Sequence, residues 1–437
     1  RKFSYFKRLK FFERPRLTNK TFLQQIGECD FFSIENIKKA FSVEPVTKQF
    51  YGELQYWYFW AMDKIKFPDD YKYSPDPSND KEIRNATNLI RLITRIIFIR
   101  FLTEKGLIPP ELFSREKLGR IIKEFMKGKK TSDFYNAILQ NLFFGTLNQK
   151  MDERKFAQES GFQTNRNEYG VKNLYRYGDK FSISKVKVLE LFKDIPFLNG
   201  GLFDCLDKDD KSSKVIYVDG FSRNPAKQSI IPDYLFFQQE EERADLSNYG
   251  LGASRPARGL IEILNSYNFT IDENTPIDQE IALDPELLGK VFENLLASYN
   301  PETATTARKA TGSYYTPREI VDYMVEESLV EYLKGKLSEV EEEKIRMLLS
   351  YSENIPEVSE PERKKIISAI DDIKILDPAC GSGAFPMGIL HKLVYALQKL
   401  DPQNKYWHEL QYQKALKESE EVFKQDDKNE RQERLKE

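Results

Sequence analysis

The segment that most restricts what this chain can fold into is Asp377-Pro-Ala-Cys-Gly-Ser-Gly-Ala-Phe385. Ahead of it, Lys374-Ile375-Leu376 reads as a short buried strand, and behind it Pro386 to Lys399 is patterned as a helix. A strand feeding a helix through a glycine turn is the ligand-binding end of a parallel α/β sheet. Gly381 and Gly383 lack the Cβ atoms that would block a ligand from the backbone, and at least one of them suits positive φ. Asp377, at the strand end, can hold a cationic group, and Pro378 stiffens the turn. The same residues would serve equally as a structural turn, so the loop alone leaves both readings open.

A second segment narrows the choice. About sixty residues upstream stands Thr311-Gly-Ser-Tyr-Tyr-Thr-Pro-Arg318, followed by a helix predicted over Arg318 to Leu333. Taken as plain sequence, Thr316 is the N-cap of that helix and Pro317 its first residue. A helix amino end is also an anion site, so a capping role and a binding role are compatible. In this order and spacing the two segments resemble the tenth and first cofactor motifs of gamma-class methyltransferases that modify adenine N6 in DNA. The likeness is to the Type IIG-like restriction–modification and phage-defence methylases.

That resemblance implies S-adenosyl-L-methionine as cofactor. It implies that Tyr315, Thr316, Pro317, Asp377, Pro378, Ala379, Cys380, Gly381, Ser382, Gly383 and Phe385 line its pocket. Asp377 would take the methionine ammonium, and the Thr316 hydroxyl would be available to the carboxylate. Cys380 occupies a position where the family carries a small residue and has no nucleophilic role. The implied partners are double-stranded DNA and further subunits of a restriction–modification or phage-defence system. Three more segments are similar to parts of the same group: Asp284 to Ala297, Leu198 to Phe203, and Arg91 to Gly106. The fold class expected is mixed α and α/β. A mostly helical connector over 1–280 would lead into the start of a Rossmann-like methyltransferase domain over 281–437.

The chain departs from the family where the chemistry happens. The catalytic (Asn/Asp/Ser)-Pro-Pro-(Tyr/Phe) tetrapeptide, which holds the amino group of a flipped adenine, occurs nowhere in it. Asn224-Pro225-Ala226 lacks the second proline and the aromatic, and no second strand ending in an acid follows Leu400. We therefore expect no catalytic residue in this chain, and an inactive piece of a larger methyltransferase. The alternative is a non-catalytic cofactor-binding or assembly module. Glu342-Glu-Lys344 and Glu362-Arg-Lys364 match the ExK of metal-dependent nucleases, but such matches arise by chance in a chain that is 31% charged.

Composition limits the remainder. The 67 Lys and Arg nearly cancel 69 Asp and Glu, so any DNA contact must come from a local patch. The most basic run is Lys123, Lys127, Lys129 and Lys130. Arg84, Arg91, Arg95 and Arg100 recur along a helix predicted over Glu82 to Lys105, where an ion-paired or solvated face is favoured over phosphate contact. Val46 to Met62 is a second helix, with Tyr56, Trp57, Tyr58 and Trp60 assigned to packing. Three distant cysteines and two histidines form no metal-spaced cluster, and the pattern suits a reducing cytoplasm. The most apolar stretch, Leu89 to Leu102, is broken by three arginines, so no membrane span is expected.

Overall fold

The computed structural model describes residues 8–10, 27, 29–33, 36–37, 44–157, 172–198, 201–209, 215–269, 278–280, 283, 316, 318–352, 354–380 and 383–423. The segment expected as a helix at Asp284 to Ala297 lies outside them, as do Tyr315, Pro317, Gly381 and Ser382. The chain divides into two compact units. The larger comprises Lys7–Asn274 and Asp278–Ser313, and the smaller comprises Arg1–Phe6, Thr275–Ile277 and Tyr314–Glu437.

The larger unit is mostly helical. Helix α1 (Glu44–Met62) forms because Phe50, Leu54, Trp57 and Ala61 recur at helical spacing, and all four are fully buried. Tyr58 and Trp60 are buried beside them, and the Trp57 indole donates to the Leu235 carbonyl at 2.6 Å. Helix α2 (Pro77–Glu104) starts five residues before the predicted Glu82. The cause is local: the Asp76 carboxylate accepts from the Ser78 N–H at 2.9 Å, and Pro77 takes the first helical position.

Helix α3 (Arg115–Ile121) and helix α4 (Phe134–Leu147) follow. All fourteen residues of α4 are buried, and its turns are wide, with i→i+5 bonding. The Thr146 hydroxyl answers the Asn141 carbonyl at the same five-residue spacing. Gly145 lies inside this helix. The short helices α5 (Lys185–Phe192), α6 (Tyr234–Phe237) and α7 (Leu260–Asn265) complete the helical set described in this unit. Strands are confined to two-stranded ribbons: β1 (Arg8–Lys10) with β6 (Asp278–Glu280) in parallel, and β2 (Lys208–Asp209) with β3 (Val215–Ile216) and β4 (Glu242–Ala244) with β5 (Arg255–Ala257) antiparallel. Ile230 and Lys66 form a single antiparallel bridge.

The smaller unit contains α8 (Arg318–Lys336), α9 (Glu342–Leu349), α10 (Glu360–Asp371), α11 (Ala384–Leu400) and α12 (Lys405–Phe423). Val325, Leu329 and Leu333 of α8 share a core with Leu348, Ile366, Ile370 and Ala396. Ser359 and Glu362 form a reciprocal capping box that fixes the start of α10. The strand expected at Lys374-Ile375-Leu376 is a correction. These residues are irregular, and Leu376 is 88% exposed. A three-residue strand exists only through a ladder partner, and no described residue of this unit supplies one.

Candidate cofactor site at the glycine loop

The glycine loop is built as an Asx turn followed by a left-handed residue. The Asp377 carboxylate accepts the Ala379 N–H through Oδ1 at 3.0 Å, which curls the chain at Pro378. The Gly383 N–H donates to the Cys380 carbonyl at 2.8 Å, closing the turn. Gly383 sits at φ +86°, a conformation that strains any residue with a Cβ, and it directly precedes Ala384, the first residue of α11. The expectation of positive φ is met at Gly383. Cys380 is an exposed free thiol, and Phe385 packs half-buried against the core of this unit.

Asp377 has one atom left over. Its Oδ2 is shielded from solvent and has no hydrogen-bond partner among the described residues. A shielded carboxylate oxygen without a donor is costly unless something supplies one. This is the position to which the resemblance assigns an ammonium group, and the chemistry of the atom fits that group.

Residues distant from the loop align the two motif segments. A Cβ on Gly388 would stand 2.8 Å from Val321 Cγ1 and 3.5 Å from Val325 Cγ2, so α8 and α11 touch backbone to side chain at this level. One turn further along both helices, Lys392 pairs with Glu326 at 2.8 Å. Contacts that advance in the same direction along both helices make them parallel, so their amino ends lie at the same end of the unit. Thr316, two residues before α8, and Gly383, at the start of α11, thus stand at one end, and Thr316 is exposed there.

Two lysines, Lys392 buried and Lys399 half-buried, hold this arrangement. Lys392 is 1% exposed and also donates to the Leu349 carbonyl at 2.9 Å, with its ammonium 3.8 Å from the Tyr351 ring centre. Lys399 donates to the carbonyls of Met347 at 3.0 Å and Ser350 at 2.6 Å. Together they satisfy carbonyls at the end of α9 that no helical N–H can reach. Burial lowers Lys399 to about 8, Lys392 adds to the shift, and Glu326 opposes it. Sequence reasoning missed Gly388 and Lys392, although a glycine inside a patterned helix signals close packing.

The two ExK matches are not assembled as a metal site. Lys344 pairs with Glu362 at 3.5 Å, and Glu362 is committed to its capping box. Glu342 pairs with Lys334 and Arg346, each at 2.8 Å.

In the larger unit the arginines of α2 turn inward. Arg91 reaches Asp219 Oδ1 at 2.8 Å and Arg95 reaches it at 3.5 Å. Arg95 also donates to the carbonyls of Leu202 at 2.7 Å and Asp204 at 2.8 Å. Two of the segments that resemble the connector of the family therefore meet at this side chain. Arg84 pairs with Asp80, and Arg100 pairs with Glu104 at 2.6 Å. The ion-paired reading of this row holds, within the fold and not on a solvated face. Burial lowers the Arg95 guanidinium below its ordinary value, and Asp219 pulls it back.

Beside it, Asp207 accepts four backbone N–H groups, from Val218, Asp219, Gly220 and Phe221, at 2.7–3.1 Å. Burial still pushes its carboxyl up, with Asp219 adding to the effect. Cys205, Asp207 and Asp219 are close enough to share a cation. However, their oxygens already face N–H and guanidinium donors, and burial holds the Cys205 thiol well above its ordinary value. The cluster is a structural hub. Asn224, the one lookalike of the missing tetrapeptide, lies in this larger unit and caps a single turn by accepting the Ala226 N–H at 3.0 Å.

No family model matches the chain, and no solved structure matches it. A protein of Methanocaldococcus jannaschii, provisionally named a type II restriction enzyme and methyltransferase, is 26% identical over 401 residues. The match takes in 86% of this chain but 28% of the relative, so the chain spans less than a third of that protein's length. No helix among the described residues is long and apolar enough to cross a membrane.

Proposed function

We propose that this chain forms the connector and the first wall of the S-adenosyl-L-methionine pocket in a DNA adenine-N6 methyltransferase of a restriction–modification or phage-defence system. The observation that carries the reading is the glycine loop: an Asx turn, a left-handed Gly383 at the amino end of α11, and a shielded Asp377 oxygen with no donor. Asp377 accepts the ammonium, the loop glycines let the ligand meet the backbone, and the Thr316 hydroxyl donates to the carboxylate. The bound cofactor supplies a sulfonium methyl for transfer to the substrate amine. This chain's residues contribute binding and orientation, which is how much of the rate in such transfers arises.

Further support comes from the exposed apolar row of Met387, Leu390 and Val394 on α11, with Ile375 and Leu376 before the loop. Such a row is the surface that a parallel sheet covers in an α/β domain. The relative's name supports methyl transfer and DNA in general.

Ultraviolet cross-linking of radiolabelled S-adenosyl-L-methionine to the chain, followed by peptide mapping, tests the reading. Label is expected in peptides spanning 311–318 and 377–385. Label elsewhere, or none, overturns it. Lacking the catalytic tetrapeptide, the chain alone should incorporate no tritiated methyl into mixed DNA, and clear incorporation would refute that part. Without transfer but with labelled peptides, a cofactor-binding module working with another polypeptide is the surviving alternative.

A further inference from the structure

The segment from α3 toward α4 concentrates positive charge in a chain that is otherwise balanced. Residues 120–130 carry Arg120, Lys123, Lys127, Lys129 and Lys130 against Glu124 alone. Three of the five are engaged: Arg120 with Glu116 at 2.5 Å, Lys127 with Glu124 at 3.1 Å, and Lys123 with the Asp179 carbonyl at 2.6 Å. Lys129 and Lys130 are exposed and form no ion pair with any described residue. They stand on an open groove of about 790 Å³ that Asn136 and Lys180 also line. The acids on the groove are neutralised in place, Glu124 by Lys127 and Asp133 by Lys180 at 2.5 Å.

Asn136 provides a second, independent observation. It is 3% exposed, yet its Oδ1 has no hydrogen-bond partner among the described residues. A buried amide on a groove wall with an unanswered end is a recognition group awaiting its ligand. The oxygen itself can only accept, and the Nδ2 of the same amide is the donor that a phosphate oxygen could take.

The loop is also held rigidly. Asp233 accepts the Met126 N–H at 3.2 Å and the Phe134 N–H at 2.9 Å, and its own N–H donates to the Thr131 carbonyl at 2.8 Å. The Lys123 N–H donates to the Lys180 carbonyl at 2.9 Å. Met126 is thereby kept at φ +57°, a strained backbone for a residue with a side chain. Strain maintained by its surroundings at the apex of a basic loop points to a surface with a purpose.

We propose that this groove binds the phosphate backbone of duplex DNA. Lys129 and Lys130 neutralise successive phosphates, and the Asn136 amide donates to a phosphate oxygen, the residue types that position a protein on DNA without reading its sequence. The inference rests on the DNA reading above and adds the surface that performs it.

The test is fluorescence anisotropy of the full chain with a labelled duplex across a salt series. Lys129→Gln/Lys130→Gln should lower the slope of log affinity against log salt by about 2, since each phosphate contact contributes roughly 0.9. Lys129→Glu/Lys130→Glu should weaken binding at least tenfold at about 0.1 M salt, and Asn136→Asp should weaken it several-fold. Lys187→Glu/Lys417→Glu, an equal charge change at other exposed sites, should leave the slope unchanged. Circular dichroism verifies that each variant folds. Unchanged affinity in the groove variants, tighter binding of an RNA duplex than of DNA, or no binding by the wild-type chain each overturns the inference. Cofactor cross-linking on the same samples shows separately whether the cofactor-site reading survives.

Discussion

The two units both shield carboxylates from solvent, but they treat them differently. In the larger unit Asp207 and Asp219 have every oxygen answered, by backbone N–H groups and by Arg91 and Arg95. In the smaller unit Asp377 answers one N–H and leaves its second oxygen without a partner. A saturated buried group is spending its capacity on the fold, while an unsaturated one marks a place where a ligand can supply what is missing. By that criterion Asp207, Asp219 and the two α2 arginines that meet Asp219, Arg91 and Arg95, are structural. Asp377 and Asn136 are among the groups that keep a shielded oxygen unanswered by any described residue.

The harshest way to break this contrast is Asp219→Ala. It removes the carboxylate that Arg91 and the buried Arg95 share, and removing one partner of such a buried pair costs about 3–5 kcal/mol. Urea unfolding of the chain should show that loss. A change under about 1 kcal/mol would mean that the network is dispensable and that saturation does not identify structural groups.

A smaller effect is expected where α8 meets α11. Gly388→Val places branched carbons where Val321 already stands, and overpacking of this kind costs about 1–3 kcal/mol. Gly388→Ala should cost less, because alanine's helix propensity returns about 1 kcal/mol. If both variants are as stable as the wild type, the close approach that brings the Thr316 and Gly383 ends together does not govern the unit.

The Lys399 ammonium allows a pH-resolved version of the same comparison. Its folded value of about 8 lies below its ordinary 10.5. Between those values the unfolded chain binds more protons than the folded unit, so stability rises with pH over that window. Lys392, Glu326, Tyr395 and the carbonyls of Met347 and Ser350 surround the group. Melting temperatures of wild type and Lys399→Met should therefore diverge from pH 8 to 10.5, with the wild type gaining. Parallel curves would show that burial does not disfavour the charged form.

How far the sequence discloses these features depends on whether the physics is local. The stripe of Phe50, Leu54 and Trp57, the Ser359–Glu362 capping box and the glycine at positive φ are set by neighbours within four residues, and each can be read directly from the chain. Helix α4 escapes notice because it is buried on every side and so lacks a polar face to give it a period. The error at Lys374 to Leu376 has a related cause: apolar residues before a glycine turn suggest a strand, but pairing is non-local and no described residue of the unit pairs with them. Asp207 and Asp219 are two acids among 69 Asp and Glu. Nothing in their own neighbourhood reveals that one gathers four N–H groups and the other two arginines.

The smallest expected effect on stability is also the sharpest test of the contrast. Asp377→Ala removes a single exposed-loop acceptor from the Ala379 N–H, a bond worth about 1 kcal/mol or less once water replaces it. It also removes the shielded Oδ2, which meets no hydrogen-bonding group among the described residues. Unfolding midpoints should therefore lie within about 0.5–1 kcal/mol of the wild type, against several for Asp219→Ala. Cross-linking of labelled S-adenosyl-L-methionine to the 377–385 peptide should fall at least tenfold in the same protein. Asp377→Asn preserves the acceptor for Ala379 but not the charge, so it should retain full stability and still lose the label. If Asp377→Ala instead unfolds the smaller unit, the carboxylate belongs to the structure like Asp219, and the distinction between saturated and unsaturated groups fails where it matters most.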